Sequence, residues 1–103
     1  MINDKLILNE IKAAIRSVDA GVEVILFGSR ARGDFNEESD WDILILSDKA
    51  DKERREGIFR KALLETEMKY SICIGLLVRS REKWDELEVT DIHQNIDEEG
   101  IVI

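Results

Sequence analysis

The chain has 103 residues, 44% of them hydrophobic and 37% charged, with a formal net charge of −8 at pH 7. That length predicts a single domain over residues 1–103 with one core, and the composition is that of a globular protein, not a disordered one. The acidity counts against a non-specific nucleic-acid binder, which needs a basic face to displace counterions. No apolar run approaches the ~18 residues of a membrane span, so no membrane partner is expected.

Met1-Ile2-Asn3-Asp4-Lys5 shows no basic stretch ahead of a long apolar one, so no secretory signal is read, and cytoplasm is the expected location. From about Asp4 to Val18, Leu8, Ile11, Ile15 and Val18 recur at helical spacing, with Asn3 or Asp4 as cap and Gly21 as the break after it. Val22 to Phe27 is β-branched and aromatic and reads as a mostly buried strand. A loop from Gly28 to Glu38, with a helical turn near Ser29, leads to a second strand, Asp40 to Leu46. A polar connection, Ser47 to Asp51, precedes a helix from Lys52 to about Lys69, whose apolar stripe is Ile58, Phe59, Ala62 and Leu63. Ser71 to Val78 reads as a third strand buried on both faces, with Gly75 marking a bulge or a close backbone approach. Short helices are expected over Arg81 to Leu87 and from Thr90, as cap, to about Glu98. Gly100 then ends the helix, and Ile101-Val102-Ile103 forms an edge strand or packs into a groove. This order gives an α/β (α+β) domain, a small sheet of three to four strands with helices packed on it.

The chemistry concentrates in residues 24–46. An apolar strand ends in Gly28-Ser29, ten residues follow, and Asp40-Trp41-Asp42 opens the next strand. Alternation along a strand points Asp40 and Asp42 the same way and Trp41 the other. Side-by-side carboxylates repel, and a divalent cation relieves that cost. The Gly-Ser turn offers close backbone approach and a hydroxyl, and a helix starting at Ser29 presents N–H groups to an anion.

Phe27-Gly28-Ser29-Arg30-Ala31-Arg32-Gly33-Asp34 with Ser39-Asp40-Trp41-Asp42-Ile43-Leu44 resembles the minimal nucleotidyltransferases, within the superfamily related to DNA polymerase beta. The resemblance implies the polymerase beta-like mixed sheet, with Gly28 and Ser29 binding the triphosphate of an NTP such as ATP. It also implies Asp40 and Asp42 as catalytic Mg²⁺ ligands, and transfer of a nucleoside monophosphate to an acceptor hydroxyl. Arg30 and Arg32 are placed to reach phosphate oxygens. Family members of this kind are often paired with HEPN-type toxins, which implies a protein partner as acceptor and an antitoxin role.

One departure stands out. The family's third carboxylate would come from the next strand, yet Ser71 to Val78 holds no acid, and Glu65 and Glu67 precede it on a helix. A small residue leaves room for a missing acid, which singles out Cys73 and Gly75. The alternative function is therefore a weakened nucleotide- or protein-binding module. Other readings are structural. Arg30 and Arg32 could pair with Asp34, Glu37 or Glu38, Trp41 and Trp84 are packing residues, and Cys73 is a buried small hydrophobe. His93 is a surface or capping residue, and the clusters from Asp48 to Glu56 and Asp97 to Glu99 are solvated faces.

Overall fold

The computed structural model describes residues 4–48, 52–86 and 90–103, apart from the side chains of residues 52–54 and 91. The elements are α1 (Asp4–Val18), β1 (Glu23–Phe27), α2 (Ser29–Arg32), β2 (Trp41–Ser47), α3 (Lys52–Tyr70), β3 (Ile74–Ser80), α4 (Arg81–Glu86), α5 (Asp91–Glu99) and β4 (Ile101–Val102). They build a mixed four-stranded sheet in the order β3-β2-β1-β4. β1 runs antiparallel to β2 and β4, while β2 and β3 run parallel, as α3 carries the chain back between them. This is the mixed-sheet fold class expected from the sequence.

Strand alternation gives the sheet two unlike faces. On one, Val24, Leu26, Trp41, Ile43, Ile45, Ile74 and Val78 meet Ile7, Ile11 and Ile15 of α1 and Phe59 and Leu63 of α3 in the main core. On the other, Ile25, Leu44 and Leu46 are covered by Trp84 of α4 and Ile96 of α5 in a smaller cluster. The first face owes its cover to the two long helices, whose apolar residues recur every three or four positions.

Four expectations need correction. The buried stripe of α3 is Phe59, Leu63 and Thr66, and Ile58 is exposed, because contact with α1 and β3 selects the 59/63/66 face. β3 begins at Ile74, not Ser71. The end of α3 turns through Ser71 at φ 52, where the Ile72 N–H donates to the Glu67 carbonyl, a left-handed helix stop that delays the strand. Cys73 therefore lies ahead of the strand and is exposed instead of filling the core. His93 is buried, stacked on Trp84 with ring centroids 4.5 Å apart, and only its backbone N–H serves the cap, donating to Thr90 Oγ1. The proposed Asn3 cap, the connection at residues 49–51 and the helix end at Leu87 lie outside the described residues.

Candidate functional site

The turn after β1 is shaped by one backbone conformation. Gly28 sits at φ 76 and ψ −160, a region closed to most side chains, and this sets the chain at the angle from which α2 starts. The Ala31 and Arg32 N–H groups donate to the Gly28 carbonyl at 3.1 Å, so those of Ser29 and Arg30 precede the first bond of the helix and face outward from its start. Ser29 is half-buried at this point.

β2 brings Asp42 against the turn. In register, Asp42 lies between Phe27 of β1 and Gly75 of β3, and all three share the sheet face of Leu44. A Cβ on Gly28 would collide with Asp42 Oδ2, and one on Gly75 would lie 2.6 Å from Asp42 Oδ1. The carboxylate thus fills a notch that two glycines leave open. Gly75 marks a close approach, as its place in an apolar strand suggests, and what approaches is the Asp42 carboxylate.

Asp42 is half-buried and Asp40, just ahead of β2, is exposed. Burial pushes the Asp42 carboxyl above the usual carboxylate range, the negative charge of Asp40 pushes it further, and Arg32 pulls it back in part. Neither aspartate takes part in an ion pair among the described residues. A desolvated carboxylate beside a second one, without a paired cation, suits a divalent ion, so the residues present fit Mg²⁺.

The two arginines of α2 part company. Arg30 folds back under the loop: its Nε donates to the Ser39 carbonyl at 3.1 Å, and Nη2 donates to the Asn36 carbonyl at 3.3 Å. Its guanidinium lies 4.1 Å from the Trp41 ring and 4.8 Å from Phe35, and the side chain is 6% exposed. Such a group braces the loop that delivers Asp40 and is turned from the aspartate face, so the phosphate contact anticipated for it is not available in this arrangement. Arg32 is 41% exposed and pairs with Asp34 at 3.3 Å and with Glu99 at 3.2 Å. It stays close enough to lower the Asp42 pKa, which keeps it at the site.

Comparison with known proteins agrees with this geometry. Residues 8–103 match the model of the nucleotidyltransferase domain. The chain belongs to that family. It is 38% identical over 103 residues to a Methanocaldococcus jannaschii protein named "putative protein adenylyltransferase MJ0604", an alignment covering 98% of each chain. It is also 38% identical over 74 residues to MJ0141 of the same organism, similarly named, covering 70% of this chain and 75% of the relative.

Within this nucleotidyltransferase domain, Glu65 and Glu67 do not supply a third acid. α3 packs on the Trp41 face of the sheet, opposite Asp42. There the Glu67 carboxylate accepts the Ile74 N–H at 3.0 Å, tying α3 to the start of β3, and Glu65 is exposed. Among the described residues, no three His, Cys, Asp or Glu side chains gather in a way that could hold a metal ion. The position next to Asp42 on β3 is Gly75, and the notch leaves it no room for a side chain. Glu99, placed in the sequence among solvated helix ends, joins the site through Arg32. A pairing across 67 residues of chain leaves no local signal.

Proposed function

We propose that this domain transfers AMP from ATP to a hydroxyl on a separate protein, with Asp40 and Asp42 holding Mg²⁺ and Gly28-Ser29 receiving the triphosphate. The observation that carries the reading is the Asp42 carboxylate seated in the glycine notch against the phosphate turn, with Asp40 beside it. The names of both relatives support the same chemistry.

In this reading the N–H groups of Ser29 and Arg30 and the Ser29 hydroxyl hold phosphate oxygens, and Arg32 leaves part of its pairing to meet negative charge on the leaving group. The acceptor oxygen attacks the α-phosphorus, the α–β bridging bond breaks, pyrophosphate leaves, and the hydroxyl proton passes to solvent or to a base of the acceptor. Mg²⁺ held by Asp40 and Asp42 would make that hydroxyl more acidic and offset charge on the phosphates. In this reading the acceptor is a separate protein that docks against the aspartate face. A HEPN-type toxin, a cytoplasmic setting and an antitoxin role complete the proposal.

The second reading, a binding module, is favoured by one fact: no third carboxylate joins Asp40 and Asp42 among the described residues. General-base help is typically worth ~10²–10⁴ in rate. Incubation of the purified chain with radiolabelled ATP, Mg²⁺ and the product of the neighbouring gene separates the two. Label on the partner that disappears with Asp42→Asn is the expected result. Mg²⁺-dependent ATP binding without any transfer would establish the module instead.

A further inference from the structure

The two edges of the sheet differ in what they expose. A strand unpaired on one side carries a row of backbone N–H and C=O groups that can pair with another chain. At one edge β4 is two residues long and offers little to pair with. At the other edge β3 is seven residues long, and only its inner side is taken up by β2.

The parallel register decides which groups of β3 face outward. Trp41 lies opposite Ile74, and its N–H donates to the Cys73 carbonyl at 2.9 Å. Backbone groups alternate in direction along a strand. Those of Gly75, Leu77 and Arg79 therefore turn toward β2 as Cys73 does, and those of Ile74, Leu76 and Val78 turn away from the sheet. Two of these outward groups are held by charged side chains. The Ile74 N–H donates to the Glu67 carboxylate at 3.0 Å, and the Val78 C=O accepts from Arg79 Nη1 at 2.7 Å. Such charge-assisted bonds are stronger than the neutral amide bonds an added strand would offer.

The two held groups are related by a simple symmetry. Suppose a second copy laid its own β3 antiparallel against this edge, with Leu76 opposite Leu76. Each Leu76 would exchange both its backbone bonds with its counterpart, and Ile74 would lie opposite Val78 of the second copy. In that pair the Ile74 N–H must donate to the Val78 C=O. Those are the groups that Glu67 and Arg79 occupy.

We propose that the outer edge of β3 is a pairing surface for a second copy of this chain, and that Glu67 and Arg79 hold it closed. The pattern fits a second copy because the edge is self-complementary about Leu76, and the two held groups are each other's partners only under that two-fold symmetry. The caps sit at both ends of the window and leave the Leu76 N–H and C=O open between them. Brevity guards the β4 edge, and two side chains guard the β3 edge.

Sedimentation velocity on the full chain tests this at ~0.15 M salt, where repulsion between two chains of net charge −8 is screened. Glu67→Ala combined with Arg79→Ala is expected to lower the dimer dissociation constant ~10-fold or more relative to the parent, because each copy regains one donor and one acceptor for the partner strand. Arg79→Ala alone should give a smaller decrease. Glu67→Gln, whose amide oxygen still accepts the Ile74 N–H, should match the parent. Amide hydrogen exchange then locates the contact. In the parent, Gly75, Leu77 and Arg79 should exchange slowly and Leu76 and Val78 fast. In the dimer of the double variant, Leu76 and Val78 should become protected. A double variant that associates no more than the parent, or that associates with Leu76 still exchanging fast, would overturn the proposal. If loss of the Glu67 tie unfolds the double variant, Arg79→Ala carries both readouts, and the same two outcomes count against the proposal there.

Discussion

The two faces of the sheet use neighbouring residues of one strand for opposite ends. On one side of β2, Trp41, Ile43 and Ile45 are each at most 1% exposed and lie beneath two long helices. On the Asp42-Leu44-Leu46 side, cover comes from the short helices α4 and α5, and it stops short of Asp42. The first face makes the domain stable. The second spends that stability on a carboxylate held part-buried beside another, an arrangement with no benefit to the metal-free protein. Arg30 and Arg32 repeat the contrast two residues apart, one locked against Trp41 and the other at the site's edge.

Substitutions on adjacent β2 residues should therefore have opposite signatures. Asp42→Asn is expected to reduce Mg²⁺-dependent ATP binding by at least 100-fold in calorimetry, with a melting temperature equal to or above that of the parent. Ile43→Ala, one residue on, should cost ~2–5 kcal/mol in denaturant unfolding and leave affinity in the surviving folded fraction nearly intact. A large stability loss from Asp42→Asn would place that side chain in a structural pairing and erase the distinction between the faces.

The empty third-carboxylate position gives a sharper version. Gly75→Asp shares the face of Asp42, but its Cβ would stand 2.6 Å from Asp42 Oδ1, so the metal site should be lost, not completed. Ile74→Asp would bury an unpaired charge in the main core and should cost several kcal/mol, on the order of what an uncompensated buried carboxylate demands. Cys73→Asp is exposed and should leave the melting temperature within a few degrees of the parent while raising transfer of labelled AMP. No gain from Cys73→Asp would mean that any missing base arrives with the acceptor.

Next in size is the contrast between the arginines. Arg30→Ala removes hydrogen bonds from a charged donor to the Ser39 and Asn36 carbonyls and a stacked contact on Trp41, so a loss of ~2–3 kcal/mol is expected in urea unfolding. Arg32→Ala breaks only exposed pairs and should change stability by less than ~1 kcal/mol while weakening ATP binding. Equal effects on stability would show that Arg32 is also a brace.

The strands and the aspartate pair were legible because alternation and the Gly-Ser to Asp-x-Asp spacing are local in the chain. The faces of Asp42 and Trp41 followed from the same period of two. What escaped is decided by packing between distant segments. Which of Arg30 and Arg32 is tied down beneath the loop depends on where the Ser39 and Asn36 carbonyls fall, and Glu99 reaches Arg32 only once α5 is packed beside the sheet. The exposure of Cys73 turned on a left-handed serine ending α3, a conformation that composition gives no reason to expect. The burial of His93 depends on Trp84 in a different helix, so no local pattern marks it.

The smallest expected effect is a pH dependence, and it tests the electrostatics of the second face alone. The folded-state pKa of Asp42 is raised, so its ionisation opposes folding. Below the ordinary carboxylate range Asp42 is protonated whether folded or unfolded and this penalty is absent. It develops as pH rises from that range through the raised folded value, and it persists at neutral pH. The stability advantage of Asp42→Asn over the parent should therefore grow across that window and be constant above it. Solvent screens a half-exposed carboxylate, which keeps the difference small. Adding Mg²⁺ should stabilise the parent and leave the variant unmoved, closing or reversing the gap at neutral pH. Paired thermal melts at acidic and neutral pH, each with EDTA or Mg²⁺, measure all four terms. An advantage that shrank with rising pH would mean that a cationic partner already neutralises Asp42 in the free protein, and the carboxylate pair would then not be poised for a metal ion.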